Sequence, residues 1–529
     1  FIYGFASILG KIAAVLLMPI YTNILTKEEY GAMALIVACK GIIDLVSNLN
    51  IHTGIARDYY EQSINRKHLV STGVWSILGI SSVILVIMFL TRQFWLTQVL
   101  SLDSIYIIPF TLMLFTIPTG SLMSYFAILT RFKRKPILYS IGTIIQLLIQ
   151  LTVSIAGVVF FRLGILSIFA GTLCGELFGI LYYSYINRSD IAFTFNKVYL
   201  KRVLQFSIPT LPAILAGWID SSMGQIIIGK YISTADLGVY SIALQLSSVF
   251  AFISIGLNNV WSPYLYENYK KEGFIKEINR LYTAIVLILT IIAVSVSLMS
   301  KEIVLLLSNS SYLNASKYFT LLCIPMCVHL LFPMATSGIS ISRDTKYISI
   351  SYVTGSIINI AFMFIMIKSI GIYAVPIALG LSRITTYSIL YYISKSKGII
   401  VLPNGVLVLL IASVLICYFI ININFGAIYR ATIAVLVCGT IVAYIAKYIN
   451  IKYLLKKPFF VYLCHMLWYN TYINYCIILQ YYFQQLKEDF CVTLRPMRDV
   501  NMQVQYQILS YSHSHPLNSI CKLLLHKLL

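Results

Sequence analysis

The sequence is dominated by apolar runs that are each long enough to cross a lipid bilayer. At 1.5 Å per residue, a helix needs about 20 apolar residues to span a hydrocarbon core of about 30 Å. Fourteen runs of this kind lie near residues 2–25, 31–50, 69–90, 105–130, 137–161, 164–186, 203–229, 236–258, 281–300, 315–341, 347–368, 372–393, 401–421 and 427–449. We therefore predict an all-α polytopic membrane protein with about fourteen spans.

The composition leads to the same class of protein. Hydrophobic residues make up 59% of the chain and charged residues 11%, whereas soluble domains carry about 25% charged residues. The net charge is +21, which in a soluble protein would suggest nucleic acid as a partner. Here the basic residues lie in short connections between apolar runs, where they determine the orientation of the spans instead.

Lysine and arginine alternate in number from one connection to the next. The connections after even-numbered runs carry two to four of them, and those after odd-numbered runs carry one, except for two after the ninth. Cytoplasmic loops are the basic ones, so we expect both ends of the helical region to be cytoplasmic. Because the chain begins at Phe1 rather than Met, we also expect its natural first residues to be missing from this sequence.

A motif near the start of the chain recurs once near its middle. Its two copies are Leu25-Thr26-Lys27-Glu28-Glu29-Tyr30-Gly31 and Ile232-Ser233-Thr234-Ala235-Asp236-Leu237-Gly238. Their final glycines are 207 positions apart, and so are Gly164 and Gly371. This common offset indicates a duplicated unit of about 200 residues. The Ser/Thr-x-x-Glu/Asp in each copy predicts a capping box that opens the next helix.

The duplication predicts how the spans are grouped. Six runs separate corresponding landmarks, so the two copies have the same orientation and should form two parallel six-helix bundles, as in many transporters. We assign residues 1–190 to the first bundle, 203–395 to the second and 400–450 to an extra pair of transmembrane helices. Residues 451–529 form a tail to which the sequence assigns no fold.

The start of each half resembles a known family. The first half opens with Leu17-Met18-Pro19-Ile20-Tyr21-Thr22, and the second contains Phe206-Ser207-Ile208-Pro209-Thr210-Leu211-Pro212. Together with the repeated motif, these residues resemble the Wzx-like polysaccharide-biosynthesis flippases of the multidrug/oligosaccharidyl-lipid/polysaccharide exporter superfamily, over about residues 1–450. Members often carry an Asp-Arg pair where this chain has Gly224-Gln225, so no role of that pair is transferred.

The resemblance implies a non-enzymatic flippase of the bacterial inner membrane. Such a protein moves polyprenyl-diphosphate-linked oligosaccharide units for O-antigen, capsule or other surface polysaccharide, and two matched bundles suit alternating access. The implied partners are the lipid-linked oligosaccharide, the bilayer and other polysaccharide-assembly membrane proteins, without nucleic acid. No cofactor is expected beyond a coupling proton or cation.

Two alternatives remain open. A drug or metabolite exporter of the same superfamily would have a smaller, more apolar cavity with fewer cations. A membrane polysaccharide polymerase, which is an enzyme, would usually carry a long external loop with clustered catalytic residues, whereas the external connections here are short.

Three cations inside apolar runs are candidates for binding the cargo. Lys11, Lys40 and Arg383 lie in the first, second and twelfth runs, where an ionisable group is costly unless it faces a cavity or a partner. A diphosphate would attract them, and arginine offers it a bidentate fork. Lys40 lies four residues before Asp44 and could instead pair with it on one helix face, while Lys11 and Arg383 have no obvious local counter-ion.

Three carboxylates inside the runs are candidates for coupling to an ion. Asp44, Glu176 and Asp220 lie in the second, sixth and seventh runs, and a buried carboxylate can exchange a proton or hold a cation. Packing against hydroxyls or backbone is an equally good explanation. His329, a lone polar group in the tenth run, is expected to be hydrogen-bonded rather than functional.

Prolines inside the runs predict kinks. Pro19, Pro209 and Pro212 lie in the first run of each half, where the missing N–H groups break the helical ladder and could provide hinges for alternating access. The cysteines show no paired spacing of a metal site, so we expect no metal and no disulfide framework.

Overall fold

Helices are the only regular secondary structure among the residues that the computed structural model describes, which are 10, 12–344, 346–397, 402–423 and 425–448. The helices of the first half are α1 (Met18–Ile24), α2 (Lys27–Asn48), α3 (Ile51–Asp58), α4 (Arg66–Leu90), α5 (Ile107–Phe132), α6 (Pro136–Val159) and α7 (Ile165–Asn187). The seventh predicted run is divided into α8 (Lys197–Ser207), α9 (Leu211–Trp218) and α10 (Gly224–Tyr231).

The helices that follow are α11 (Thr234–Ser247), α12 (Phe250–Asn268), α13 (Phe274–Leu298), α14 (Ser300–Leu307), α15 (Ala315–Leu330), α16 (Phe332–Ala335), α17 (Ser337–Ser342), α18 (Lys346–Ile370), α19 (Ala374–Ser396), α20 (Gly405–Asn422) and α21 (Ala427–Tyr448). Short helical turns join or extend them at Arg92–Phe94, Trp95–Val99, Ser104–Tyr106, Arg188–Asp190, Ile208–Thr210, Ile219–Met223, Ser310–Tyr312 and Gly371–Tyr373. The prediction of an all-α polytopic protein is confirmed.

Eleven helical stretches of the described chain are long and apolar enough to cross a membrane. One of them, Lys346–Ser396, contains both α18 and α19. The eleven stretches therefore cover twelve of the predicted runs. The first run is described only in part, and the eighth is interrupted between α11 and α12, so the count of fourteen stays a prediction.

Large apolar side chains remain exposed around the helices. Leu181, Ile365 and Val435 are examples, each with about 70% of its surface accessible. A water-soluble protein rarely exposes so much apolar surface, whereas hydrocarbon solvates it without penalty. These surfaces identify a multi-pass membrane protein.

The repeated motif opens a helix in each half, as predicted. Thr26 accepts a hydrogen bond from the Glu29 backbone N–H at 3.1 Å, and the Glu29 carboxylate accepts one from the Thr26 N–H at 2.9 Å. In the second copy Ser233 accepts from the Asp236 N–H at 3.0 Å, but its own hydroxyl donates to the Asp236 carboxylate. The shorter aspartate thus completes only half of the reciprocal box.

The two copies of the motif also pack against each other. A Cβ atom on Gly31 would overlap the Thr234 carbonyl oxygen, and one on Gly238 would overlap the Lys27 carbonyl oxygen. The start of α2 and the start of α11 therefore cross with their backbones in contact, which only glycine permits. Each half supplies the same glycine to this crossing.

Further contacts join the halves along α2, α3 and the divided seventh run. The Trp218 indole donates to the Ala38 carbonyl at 3.2 Å, and the Asn50 amide donates to the Thr210 hydroxyl at 2.8 Å. The halves thus meet over the whole length of α2.

The extra helix pair packs on the second half. Val294 and Leu298 of α13 form an apolar cluster with Cys417 of α20 and Ala434 of α21. The Arg430 guanidinium, which is 4% exposed, donates to the Leu298 carbonyl at 3.2 Å and pairs with Glu302. All of the described residues belong to one compact unit of the chain, within Phe1–Phe459. The predicted tail, 451–529, lies outside the described residues.

Candidate functional site

The seventh predicted run is broken twice. A 3-10 turn, Ile208–Thr210, contains Pro209, and α9 begins immediately after it with Pro212 in its first turn. Each proline lacks a backbone N–H, so the regular ladder cannot continue through the segment. A π turn, Ile219–Met223, follows, and it contains Asp220. π turns insert one residue into a helix and occur often at functional sites.

Asp220 lies at the centre of a buried polar cluster. Its Oδ2 lies 3.3 Å from Arg383 Nη1, with 2% of the aspartate and 13% of the arginine side chain exposed. Its Oδ1 accepts from the Asn359 amide at 2.9 Å and lies within reach of the Ser356 and Ser382 hydroxyls. Three helical segments of the second half therefore meet at one carboxylate.

Arg383 has two further neighbours. Its Nη1 lies 3.2 Å from Nδ1 of His329, and its guanidinium carbon lies 5.7 Å from the centre of the Phe332 ring. The sequence suggested no counter-ion for this arginine, and the structure provides one in Asp220. The guanidinium's Nε and Nη2 have no hydrogen-bond partner among the described residues.

A cavity of about 610 Å³ opens beside this cluster. Its wall includes Asp220, His329 and Arg383. Hydroxyl and amide groups line the rest together with apolar side chains, and the polar members are Ser221, Ser247, Ser248, Ser254 and Asn258. A cavity of this size suits a ligand of drug size or the head of a larger one. Among the described residues of its wall, Arg383 provides the positive charge.

A second charged cluster lies in the first half. Lys40 and Asp44 of α2 form the predicted i,i+4 ion pair, with 2.7 Å between Nζ and Oδ2. Glu176 of α7 is 6% exposed and accepts a hydrogen bond from the Thr119 hydroxyl at 2.6 Å. Glu176 also lies within electrostatic range of Lys40 and Asp44, so one cation faces two carboxylates.

The structure separates the proposed cargo-binding cations. Lys40 is neutralised by Asp44 in the first half and is absent from the wall of the cavity that Arg383 lines. Lys11 lies outside the described residues. The carboxylates divide in the same way, because Asp44 and Glu176 lie near each other while Asp220 pairs with Arg383.

The hinge candidates all lie at breaks in helices. A turn at Leu17 precedes α1, which has Pro19 in its first turn, and Pro209 and Pro212 flank the start of α9. The break at Ser248 and Val249 between α11 and α12 contains no proline and was not predicted.

Sequence reasoning missed the residues that complete the Asp220 cluster. Ser356, Asn359 and Ser382 are small polar residues in apolar helices. Small hydroxyl residues are common between membrane helices, so the two serines do not stand out in the sequence. Asn359, with its larger amide, was the one of the three that could have indicated a buried polar cluster. Among the described residues no group of three potential ligands could hold a metal ion.

A pair at the helix ends provides a comparison. Lys397, at the end of α19, pairs with Asp344, which precedes α18. The Lys397 ammonium holds the pKa of the Asp344 carboxyl below its usual range through a hydrogen bond and its charge. This pair has cation and carboxylate like Arg383 and Asp220, but lies apart from the cavity.

The family of polysaccharide biosynthesis proteins matches residues 20–317. That match covers more than half of the chain. The chain belongs to this family. A comparison with curated protein sequences finds no match.

Solved structures share the fold at low identity. The lipid II flippase MurJ in an inward closed conformation is similar with a TM-score of 0.66 and 15% identity, over 84% of this chain and 98% of that one. An inward-facing multidrug resistance MATE family transporter of the MOP superfamily is similar with a TM-score of 0.59 and 14% identity, over 72% and 93%. A mutant of the Vibrio cholerae MATE transporter VcmN gives 0.51 and 14%, over 75% and 94%. The expected superfamily fold is confirmed.

Proposed function

We propose that this protein is a flippase for polyprenyl-diphosphate-linked oligosaccharide units. It would carry them from the cytoplasmic to the outer leaflet of a bacterial inner membrane by alternating access, with both ends of the helical region cytoplasmic. Family membership and the fold shared with a lipid II flippase support this proposal. Other polysaccharide-assembly membrane proteins would supply and receive the cargo.

The observation that carries the proposal is the single arginine in the wall of the 610 Å³ cavity. Arg383 is fixed through Nη1, and its Nε and Nη2 groups have no other acceptor among the described residues. A phosphate oxygen pair would satisfy both groups with charge-assisted hydrogen bonds. The serine and asparagine side chains of the wall could then hydrogen-bond sugar hydroxyls.

The other two cations, Lys40 and Lys11, are less well supported as cargo ligands. Lys40 has a carboxylate partner at 2.7 Å, as Arg383 has Asp220 at 3.3 Å. Lys40 is absent from the wall of the cavity that Arg383 lines, so Arg383 is better placed to meet a diphosphate. Lys11 remains a candidate from the sequence, because an unpaired cation in hydrocarbon is costly and favours water, a counter-charge or cargo.

The three carboxylate candidates for coupling also differ. Asp220 has the Arg383 guanidinium 3.3 Å away and an amide donor, and Asp44 has a lysine at 2.7 Å. Glu176 has one hydroxyl donor and no cation in direct contact among the described residues. Its buried negative charge is therefore less well compensated than those of Asp44 and Asp220. We therefore rank Glu176 first for exchanging a coupling proton or cation.

Complementation of a strain lacking the gene tests the proposal. We expect the wild-type gene to restore surface polysaccharide, Arg383→Lys to restore it partly and Arg383→Ala to fail, when polysaccharide is compared at matched membrane abundance. Lysine keeps the charge and loses the fork. Lys397→Ala, which removes a cation away from the cavity, should complement fully.

The same strain distinguishes the alternatives. A flippase defect leaves lipid-linked intermediates on the cytoplasmic leaflet. A strain with normal polysaccharide and increased drug sensitivity would instead identify an exporter, and accumulation of single units on the outer leaflet would identify a polymerase. Full complementation by Arg383→Ala at normal abundance would remove the arginine from cargo binding.

A further inference from the structure

His329 shares the nitrogen of Arg383 that also contacts Asp220. Its Nδ1 lies 3.2 Å from Arg383 Nη1, and Asp220 Oδ2 lies 3.3 Å from the same nitrogen. An arginine side chain can only donate hydrogen bonds, so Nδ1 must be the acceptor. The imidazole is therefore neutral in this conformation, with its proton on Nε2.

The surroundings of His329 hold it in this position. The ring makes an edge contact with Phe332, with 4.8 Å between ring centres. The charged and titratable groups that face it from neighbouring segments are Arg383, Asp220 and the Tyr352 phenol, whose ring packs on Phe332. The rest of the cavity wall that it shares is apolar, serine or asparagine.

Protonation of His329 would change the cluster. An imidazolium has two donors and no acceptor, so the hydrogen bond with Arg383 would be lost and two cations would lie side by side. That arrangement is unfavourable while Asp220 is the one anion that the described part of the chain places beside them. It becomes favourable when a second anion enters the cavity, because the added negative charge stabilises both cations.

We propose that His329 takes up a proton at Nδ1 when the diphosphate of the cargo binds Arg383. This inference rests on the proposed function and adds a proton-coupled positioning residue to it. The proton is supplied by the buffered bulk solvent through the cavity, so the buffer loses one proton; a new N–H bond forms at Nδ1, and the Nη1 hydrogen bond to the imidazole breaks. Arg383 keeps Asp220 as a fixed counter-ion and gains freedom to turn its fork toward the phosphate.

The Asp220 carboxylate already has a counter-charge and hydrogen-bond donors. The Asn359 amide donates to its Oδ1 at 2.9 Å, the Arg383 guanidinium lies 3.3 Å from its Oδ2 as a counter-charge, and two serine hydroxyls are within reach. The proton therefore goes to the group that has an acceptor nitrogen and no donor except the arginine.

Titration calorimetry of the full-length protein in detergent tests this coupling. Farnesyl diphosphate is the probe, and binding is measured at one pH in buffers with different enthalpies of ionisation. We expect the wild type to take up on the order of one proton more per probe molecule bound than variants that lack the imidazole. His329→Gln and His329→Asn keep an amide oxygen as acceptor but cannot titrate, so they should bind the probe without this uptake.

Two controls separate the possible failures. His52→Gln changes a histidine of α3, away from the cluster, and should keep the wild-type uptake. Arg383→Ala should abolish binding of the probe. If the wild type does not bind farnesyl diphosphate, cargo binding as proposed fails; if it binds and the His329 variants take up the same number of protons, the role of His329 fails alone. If one of the two His329 variants is thermally unstable, the proton uptake of the other variant tests the role of His329.

Discussion

At the scale of single residues, Asp220 and Arg383 depend on each other for their burial. Each charge would be costly in an apolar surrounding, and each supplies the other's counter-charge at 3.3 Å. Breaking a buried pair by removing one partner costs more than the pair contributes, because the other charge is left uncompensated. The pair therefore affects both the stability of the protein and its transport activity, and variants can separate these two effects.

Asp220→Asn should lower the stability of the protein, since Arg383 then keeps no carboxylate. The free-energy cost expected for a broken buried pair is about 3–5 kcal/mol. Because 13% of the Arg383 side chain remains exposed, we expect a cost near the lower end of this range. The double variant Asp220→Asn, Arg383→Met should recover abundance without recovering transport. Thermal unfolding in detergent and membrane abundance measure both effects. A double variant less stable than Asp220→Asn would contradict the pairing.

Glu176→Gln, unlike Asp220→Asn, should lose transport without losing stability. The glutamine oxygen can still accept from Thr119, and a neutral amide costs less to bury than a charge, so stability should not fall, while exchange of a coupling ion is lost. Transport is measured by polysaccharide complementation and stability by thermal unfolding. Glu28→Gln, an exposed change in the capping region, is the matched control. Equal loss of transport and abundance in Glu176→Gln would indicate a structural role.

Local pairs could be predicted from the sequence and distant ones could not. Lys40 and Asp44 are four residues apart, so helix periodicity alone brings them together, and the structure contains that pair. Arg383 and Asp220 are on different helices, and nothing in the spacing indicates that they meet. His329 was expected to be hydrogen-bonded, which is confirmed, but its partner depends on how three helical segments pack.

At the scale of elements, the crossing of α2 and α11 depends on two glycines. Gly31→Ala or Gly238→Ala would place a methyl group on a backbone carbonyl, which cannot move aside as a flexible side chain can. We expect a loss of about 1–3 kcal/mol in stability for each, as for overpacked cores. Gly217→Ala, where an added Cβ has nothing within 4 Å, should be neutral or stabilising.

Thermal unfolding of the three alanine variants compares these effects directly. The longer side chain of Gly31→Val should also force the helices apart, and a distance measured between spin labels near Thr26 and Ser233 would lengthen. An unchanged distance together with wild-type stability would mean that the halves do not need this close approach.

Helix breaks show which element features a sequence can indicate. Proline lacks an N–H wherever it stands, so Pro209 and Pro212 marked the 3-10 turn before α9. The π turn at Asp220 and the break after Ser247 carry no such residue. Contacts from distant segments hold the Asp220 carboxylate, so the π turn had no signal in the local sequence. Nothing in the structure explains the break after Ser247.

At the scale of the whole molecule, the duplication is the feature that the sequence indicated most directly. Two of the glycines that identified the repeat, Gly31 and Gly238, lie where the starts of α2 and α11 touch. The extra helix pair looked like an appendage, because a sequence does not tell which surface such a pair covers. Arg430 and the apolar cluster with α13 attach it to the second half.

The orientation of all these elements in the membrane follows from the basic connections, and it can be tested as a unit. Reporter fusions after Lys133 and Lys271 should be cytoplasmic, and fusions after Arg92 and Arg430 should be external. Arg92, Lys133 and Lys271 lie at or near a helix end, and Arg430 lies in the first turn of α21. An odd number of predicted spans separates Arg92 from Lys133 and Lys271 from Arg430, whereas an even number separates Lys133 from Lys271. An external signal from Lys133 would therefore invert every later span and place the proposed cargo entry on the wrong side, whereas the expected pattern at all four sites would support the fourteen-span count.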